Sequence, residues 1–370
     1  MKAKTIQKTI NEKVTDWLSS LPLELSEKIS KNIVVTGGCI ASMFLKENVN
    51  DYDMYFKDIK TAILVSQHYS KKWIKDNKEG KRADSVHSKL EPNLRLSFYE
   101  EDDFTKYSGY FSKDTSVINF KLKTITVHPE DDRLNTFLED KTDWDKCSRV
   151  EIFIKSSGFV GVNPDEEYEY FESKESGGAG NYLDNSLVDT NKMNGQDKGK
   201  YETVFMSSNA ITLTDKVQLV IRFFGEPDKI HDTYDFIHAT NYWTSKGGLV
   251  TNNKALEALL AKELVYSGSK YPLASIFRTR KFIKRDWNCH VGNYIKMALQ
   301  LNEMNLNDPV ILEEQLTGVD AAYMYEIIRA VKNKQKEDPS FEFNSAYVCE
   351  LVDRMMGVSG MNTEDDQELI

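Results

Sequence analysis

Residues 33–56, IVVTGGCIASMFLKENVNDYDMYF, restrict the fold more than any other part of the chain. A β-rich run, Ile33-Val34-Val35-Thr36, stops at Gly37-Gly38, and a helical stretch over 39–47 follows directly. Residues 50–56 then alternate, with Tyr52, Met54 and Phe56 on one side and Asp51, Asp53 and Tyr55 on the other, the pattern of a half-buried strand. Any fold must therefore accommodate a strand, a glycine turn, a short helix and a second strand that carries two acids on one face.

That order has chemical content. Two glycines let a backbone approach a ligand closely, and a helix that starts after them offers unpaired N–H groups, a combination suited to a phosphate. Asp51 and Asp53, two apart on a strand, point the same way. Side by side they repel unless a cation lies between them, and an all-oxygen site suits Mg²⁺ or Mn²⁺. A lone GG is usually a turn and a lone DxD usually a solvated strand edge; it is their order in one segment that points to chemistry. A phosphate cradle beside paired aspartates is what nucleotidyl transfer requires.

The rest of the chain reads as a mixed β/α half followed by a helical half, hence α+β. Ile6, Ile10, Val14 and Leu18 predict an amphipathic helix over 5–20. A long helix is expected at 59–77 and strands at 93–99, 116–127, 148–155, 209–213, 217–224 and 234–243. From about 254 onward six helices are expected: 254–266, 272–283, 290–302, 308–316, 320–335 and 342–356. Residues 158–200 contain seven of the 19 glycines and little apolar periodicity, and predict a polar, acidic insertion. The expected organisation is an N-terminal helical segment (1–30), a core (31–245) with that insertion at about 158–200, a C-terminal helical domain (250–356) and an acidic tail (357–370).

The segment TGGCIASMFLKENVNDYDMYF resembles the nucleotidyltransferase superfamily typified by DNA polymerase β, poly(A) polymerases and CCA-adding enzymes. Its pattern is a GG or GS turn, a helix, then two aspartates alternating with apolar residues, matched here by Gly37, Gly38, Asp51 and Asp53 over about 25 residues. The resemblance implies a polymerase β-like core, a mixed sheet with flanking helices followed by a helical lobe. It also implies a third carboxylate on a neighbouring strand. Glu151 in RVEIFI and Asp235 in TYDFIHA both fit; Asp235 is preferred, because an aspartate is usual there. The block SNAITLTDKVQLVIRFFGEPDKIHDTYDFIHA is also similar to poorly characterised members from bacteriophages, other large DNA viruses and bacteria. In those the second of two antiparallel strands delivers the acid. By the resemblance, Asp51, Asp53 and Asp235 hold metal and carry catalysis, while Gly37 and Gly38 present N–H groups to phosphates. Ser42 adds a hydroxyl or is a plain helix-surface serine.

Over 278–285 five of eight residues are basic, and Arg278, Lys281 and Arg285 share one helical face. They read as a solvated face paired to acids, a triphosphate clamp, or a track for an acceptor backbone. Ser267, Ser269 and Lys270, at the turn before that helix, are further nucleotide-binding candidates by resemblance. His231, His238 and Cys39 read as structural.

The expected activity is transfer of a nucleoside monophosphate from an NTP to an acceptor hydroxyl, with Mg²⁺ or Mn²⁺ as cofactor and pyrophosphate as product. The acceptor is open: an RNA 3′ end (tRNA included), a second nucleotide, a small molecule or a protein side chain. The alternative is a non-catalytic binding or structural protein on the same scaffold, for example a viral accessory protein. With 48 Lys and Arg against 58 Asp and Glu, the net charge of −10 argues against a charge-driven nucleic-acid binder. Four scattered cysteines contain no CxxC pair, so neither a disulfide framework nor a zinc knuckle is expected. No run nears the roughly 18 apolar residues of a membrane span, and the N-terminal segment lacks the apolar stretch of a secretory signal. A cytoplasmic protein is expected, in the host cytoplasm for a viral source.

Overall fold

The computed structural model describes residues 1–78, 92–99, 122–131, 147–154, 199–207 and 209–306, with single positions at 134, 311, 315 and 334. It begins with α1 (Ala3–Ser19) and α2 (Leu23–Ile29). α1 buries Ile6, Ile10, Val14 and Trp17. The stripe thus follows the 3.6-residue turn rather than a strict step of four, and Trp17 takes the innermost place while Leu18 packs at its margin.

The segment that constrains the fold forms β1 (Ile33–Thr36), α3 (Gly38–Leu45) and β2 (Tyr52–Phe56), and leads into α4 (Ile59–Lys78). β3 (Pro92–Tyr99), β4 (Leu122–Val127) and β5 (Cys147–Ile154) make a separate antiparallel sheet with β3 in the middle. β6 (Thr203–Met206), β7 (Ala210–Leu213) and β8 (Val217–Phe224) return to the main sheet. There follow α5 (Pro227–His231), a 3₁₀ turn at Ile237–Ala239, β9 (Tyr242–Thr244) and β10 (Gly248–Val250). The described chain continues through α6 (Asn253–Ala261), β11 (Glu263–Leu264), α7 (Pro272–Ile283), β12 (Asn288–Cys289) and α8 (Val291–Asn302). The architecture is α+β, built on a mixed seven-stranded sheet of order β10-β9-β1-β2-β8-β7-β6.

β2 lies between β1, antiparallel to it, and β8, parallel to it. Its alternation divides the two faces of the sheet. Tyr52, Met54 and Phe56 enter the main core with Trp17, Ile63, Tyr69 and Leu219. Tyr55 points to the other face and packs with Val34, Val220 and Ile230. Asp53 shares that second face by the period of two. A further cluster of Ala41, Phe236, Leu259, Leu264, Tyr266, Trp287 and Met297 packs α6, α7 and α8 against the outer side of α3. The helical segment is thereby held beside the glycine turn.

Two expectations are corrected. Residues 234–243 do not form one strand that pairs with 217–224. Pro227, at the first helical position, starts α5 instead, and only Tyr242–Thr244 are β, pairing with β1. Residues 254–266 are not one helix: α6 ends at Ala261, where Lys262 turns left-handed at φ 49°, and a two-residue strand follows. The expected insertion apart from Gly199 and Lys200, the helices expected at 308–316, 320–335 and 342–356 apart from single positions, and the acidic tail lie outside the described residues. Among the described residues no helix is long and apolar enough to cross a membrane.

The Trp17 indole N–H donates to the Tyr69 hydroxyl at 2.9 Å, both buried, and ties α1 to α4. Tyr69→Phe would leave that buried donor without its acceptor, and is expected to lower unfolding stability in urea by about 1–3 kcal/mol. A midpoint indistinguishable from the unsubstituted protein would show that the bond does not pin the helix.

Candidate active site

The site is assembled from the second face of the main sheet. Gly37 leaves β1 at φ 93°, a left-handed conformation that favours glycine. A Cβ here would lie 3.2 Å from Asp53 Oδ2 and 3.3 Å from the Tyr234 hydroxyl. Its N–H donates to the Ala239 carbonyl at 3.2 Å. Gly37 is therefore closed in by the carboxylate, the tyrosine and the 3₁₀ turn. Gly38 differs: it is exposed and opens α3, and a Cβ there would meet nothing within 4 Å. The first glycine lets the turn approach Asp53; the second leaves the start of the helix accessible. Ser42 is half-buried in the middle of α3.

Asp53 stands on β2, and Asp51 lies two residues earlier, just before the strand. Their partner across the sheet is Gln218 of β8, in register with Asp53. With its amide nitrogen turned toward the acids, as their acceptor oxygens require, Gln218 donates to Asp51 Oδ2 at 3.2 Å and to Asp53 Oδ1 at 3.0 Å. Burial and the neighbouring Asp51 charge push the Asp53 carboxyl well above its usual range. Burial also raises Asp51, while the charges of Lys281 and Lys216 pull it back. Behind the pair, the Tyr234 hydroxyl donates to the Tyr55 hydroxyl at 3.1 Å. The two phenols are held protonated by burial and by the Asp53 charge. Cys39 is buried, and burial with both aspartate charges drives its thiol up, so it stays a packed thiol rather than a nucleophile.

Of the basic residues expected on one helical face, Arg278 and Lys281 lie on α7, while Arg285 lies two residues past its end at Ile283. Arg278 Nη1 meets Asp235 Oδ2 at 2.5 Å. Lys281 exerts its charge on Asp51. Arg285 is ion-paired with Glu47, just after α3. Arg278 and Arg285 are thus paired with acids, one of the alternatives that the sequence left open.

Other expected residues are placed differently. Asp235 is in the turn before the 3₁₀ segment, bonded to Arg278, and not on a strand beside β2. Glu151 is on β5 of the separate sheet, buried and ion-paired with Arg149 at 2.6 Å. Among the described residues no three His, Cys, Asp or Glu side chains converge on a common metal position. Ser267 is exposed, and its N–H and hydroxyl donate to the Asp235 carbonyl at 2.9 and 3.3 Å. Ser269 is fully buried, and its hydroxyl accepts the Tyr271 N–H at 2.9 Å, bracing the start of α7. The ammonium of Lys270 lies 6.0 Å from the Tyr271 ring centre. His231 meets the Thr36 hydroxyl at 2.8 Å, and His238, its pKa lowered to about 4 by burial, packs against Phe282 and Trp287.

Two residues of the site escaped the sequence reading. Gln218 is neutral, so a pattern of acids does not point to it, although it is the first polar residue of β8 on the face it shares with Val220 and Arg222. Arg222 is buried and donates to the Tyr271 hydroxyl at 2.5 Å and to Asn209 Oδ1 at 3.0 Å, which couples the sheet to the first turn of α7.

The geometry defines a half-buried pair of acids beside a glycine turn. The chain belongs to the Gabija anti-defense 2 family, whose family model matches residues 8–262. That span contains β1, α3, β2 and β8 and ends one residue after α6. No curated protein and no solved structure matches the chain.

The raised Asp53 carboxyl has a consequence for stability. Above the usual carboxylate value of 3.8 the folded protein retains a proton that the unfolded chain has lost, so stability falls as pH rises through that window. Asp53→Asn is therefore expected to raise the melting temperature at neutral pH in chelator, with the gain shrinking as pH falls toward 4. A variant less stable than the unsubstituted protein at neutral pH would contradict it.

Proposed function

We propose that this protein is a metal-dependent nucleotidyltransferase, which moves a nucleoside monophosphate from an NTP to an acceptor hydroxyl and releases pyrophosphate. The observation that carries this reading is the Asp51–Asp53 pair, set beside the Gly37-Gly38 turn and faced by Lys281. Two half-buried acids side by side, with carboxyls raised by desolvation and, at Asp53, by the Asp51 charge, are destabilising in the free protein, which a purely structural role leaves without explanation. The donor set is all oxygen and fits a hard divalent cation, Mg²⁺ or Mn²⁺. When bound, that cation would neutralise phosphate charge and orient the triphosphate.

The chain's own residues would divide the remaining work. Gly38 and the start of α3 receive a phosphate from the open side. Gly37 keeps the turn pressed on Asp53. Arg278, ion-paired with Asp235, and Lys281, whose charge acts on Asp51, would exchange those acids for phosphate oxygens. That placement favours a triphosphate clamp over an acceptor track. The polymerase β-like core and a separate helical lobe are part of this proposal. So is an RNA acceptor, which the net charge of −10 does not favour.

One observation favours the second reading, a non-catalytic binding protein on the same scaffold: the strand beside β2 offers Gln218 where the superfamily pattern asks for an acid. The anti-defense name of the family is compatible with both readings, and a bacteriophage source would fit it.

Pyrophosphate release decides between them. The protein is incubated with Mg²⁺ or Mn²⁺ and each NTP in turn, with and without total RNA. Release is expected with at least one NTP, and to drop by at least about a hundredfold in Asp51→Ala and Asp53→Ala. RNA dependence would identify the acceptor class. Near-normal turnover in either variant would remove the assigned site.

A further inference from the structure

We propose that Gln218 is the third cation ligand of this site, its amide oxygen standing where a third carboxylate would otherwise be, and that the site consequently takes one divalent ion. The inference rests on the cation-binding reading above and specifies what that reading left open.

The argument begins with the register. Asp53 pairs with Gln218 across the parallel β2–β8 contact, so both side chains leave the same face of the sheet. The terminal amide atom of Gln218 that faces the acids lies 3.2 Å from Asp51 Oδ2 and 3.0 Å from Asp53 Oδ1. Those separations suit two different occupants. An amide nitrogen there makes two ordinary hydrogen bonds. An amide oxygen there makes a set of three oxygens. Neighbouring ligand oxygens of an octahedral ion with bonds of about 2.1 Å are about 3.0 Å apart, so the spacing also matches Mg²⁺ or Mn²⁺. Exchanging one occupant for the other takes only a half-turn of the terminal amide, and moves no backbone.

Gln218 is thus suited to both states of the site. Without a cation its N–H₂ group bridges two carboxylates that otherwise repel. With a cation its oxygen faces inward, and the carboxylates bind the ion instead of the amide. Neither an aspartate nor an alanine on β8 would do both, since the first adds to the repulsion and the second leaves it uncompensated. The charge count agrees: two carboxylates match one divalent ion, whereas sites that clamp two metals use further anionic ligands. The two acids that the sequence offered as a third carboxylate are ion-paired in this structure, Asp235 with Arg278 and Glu151 with Arg149.

The test is Mn²⁺ binding to the metal-stripped full-length protein, followed by calorimetry and by the electron paramagnetic resonance of free Mn²⁺. One ion per chain is expected. Gln218→Ala should weaken binding by about ten- to a hundredfold, Gln218→Glu should tighten it, and Asp53→Asn should abolish it. Opposite shifts in the two Gln218 variants cannot come from damage to the fold, and urea unfolding of each confirms that it is folded. If Asp53→Asn loses the ion while Gln218→Ala binds within about twofold of the unsubstituted protein, or if both Gln218 variants shift the same way, Gln218 is not a ligand and the two-aspartate site stands. Two ions per chain would overturn the single-ion claim. No Mn²⁺ binding, or binding untouched by Asp53→Asn, would overturn the cation site itself and this inference with it.

Discussion

Two half-buried carboxylates two residues apart, Asp51 just before β2 and Asp53 on it, repel each other and resist ionisation. That repulsion organises the surroundings of β2. Gly37 brings a backbone turn against Asp53 with no side chain in the way. Gln218 offers one amide group to both acids. Lys281 and Lys216 lower the electrostatic cost at Asp51, and the phenols of Tyr55 and Tyr234 close the site from behind. Each contact is modest by itself. Together they keep an unfavourable pair in place.

The helical segment is joined to this centre by packing and by charge. Packing comes from Ala41 on α3, which enters a common cluster with Leu259, Tyr266, Trp287 and Met297. Charge comes from Arg278 on α7, which meets Asp235, and from Arg285 just past the end of that helix, which meets Glu47. The basic face is therefore internally balanced in the free protein. A triphosphate entering between α3 and α7 would take over cations already positioned, at the cost of releasing Asp235 and Glu47.

Local periodicity made the centre legible in the sequence. Ile33–Thr36, the glycine turn, α3 and the alternation of 51–56 are each encoded within a few residues, and so is the strand at 217–224. What local pattern does not encode is which strands become neighbours. β8 lies beside β2 although 160 residues of chain separate Phe56 from Val217, and the identity of the residue facing Asp53 follows from that pairing alone. A search restricted to acids reached Asp235 and Glu151, one of which sits in a turn made by the Pro227 helix and the other in a different sheet. Helical spacing places Arg278, Lys281 and Arg285 on one face, but the helix ends at Ile283 and Arg285 reaches Glu47 from the turn beyond it; the acids these arginines meet are not encoded locally. Ser269 reads as a phosphate contact by the resemblance, from its place at the turn before the helix, whereas its buried hydroxyl accepts the Tyr271 N–H.

The most direct measurement is a crystal of the protein grown with Mn²⁺ and a non-hydrolysable NTP analogue, with anomalous scattering recorded at the manganese edge. The account predicts an anomalous peak within bonding distance of both Asp51 and Asp53, with the triphosphate between Gly38 and α7. An ordered analogue bound elsewhere, with no peak at the aspartates, would contradict it.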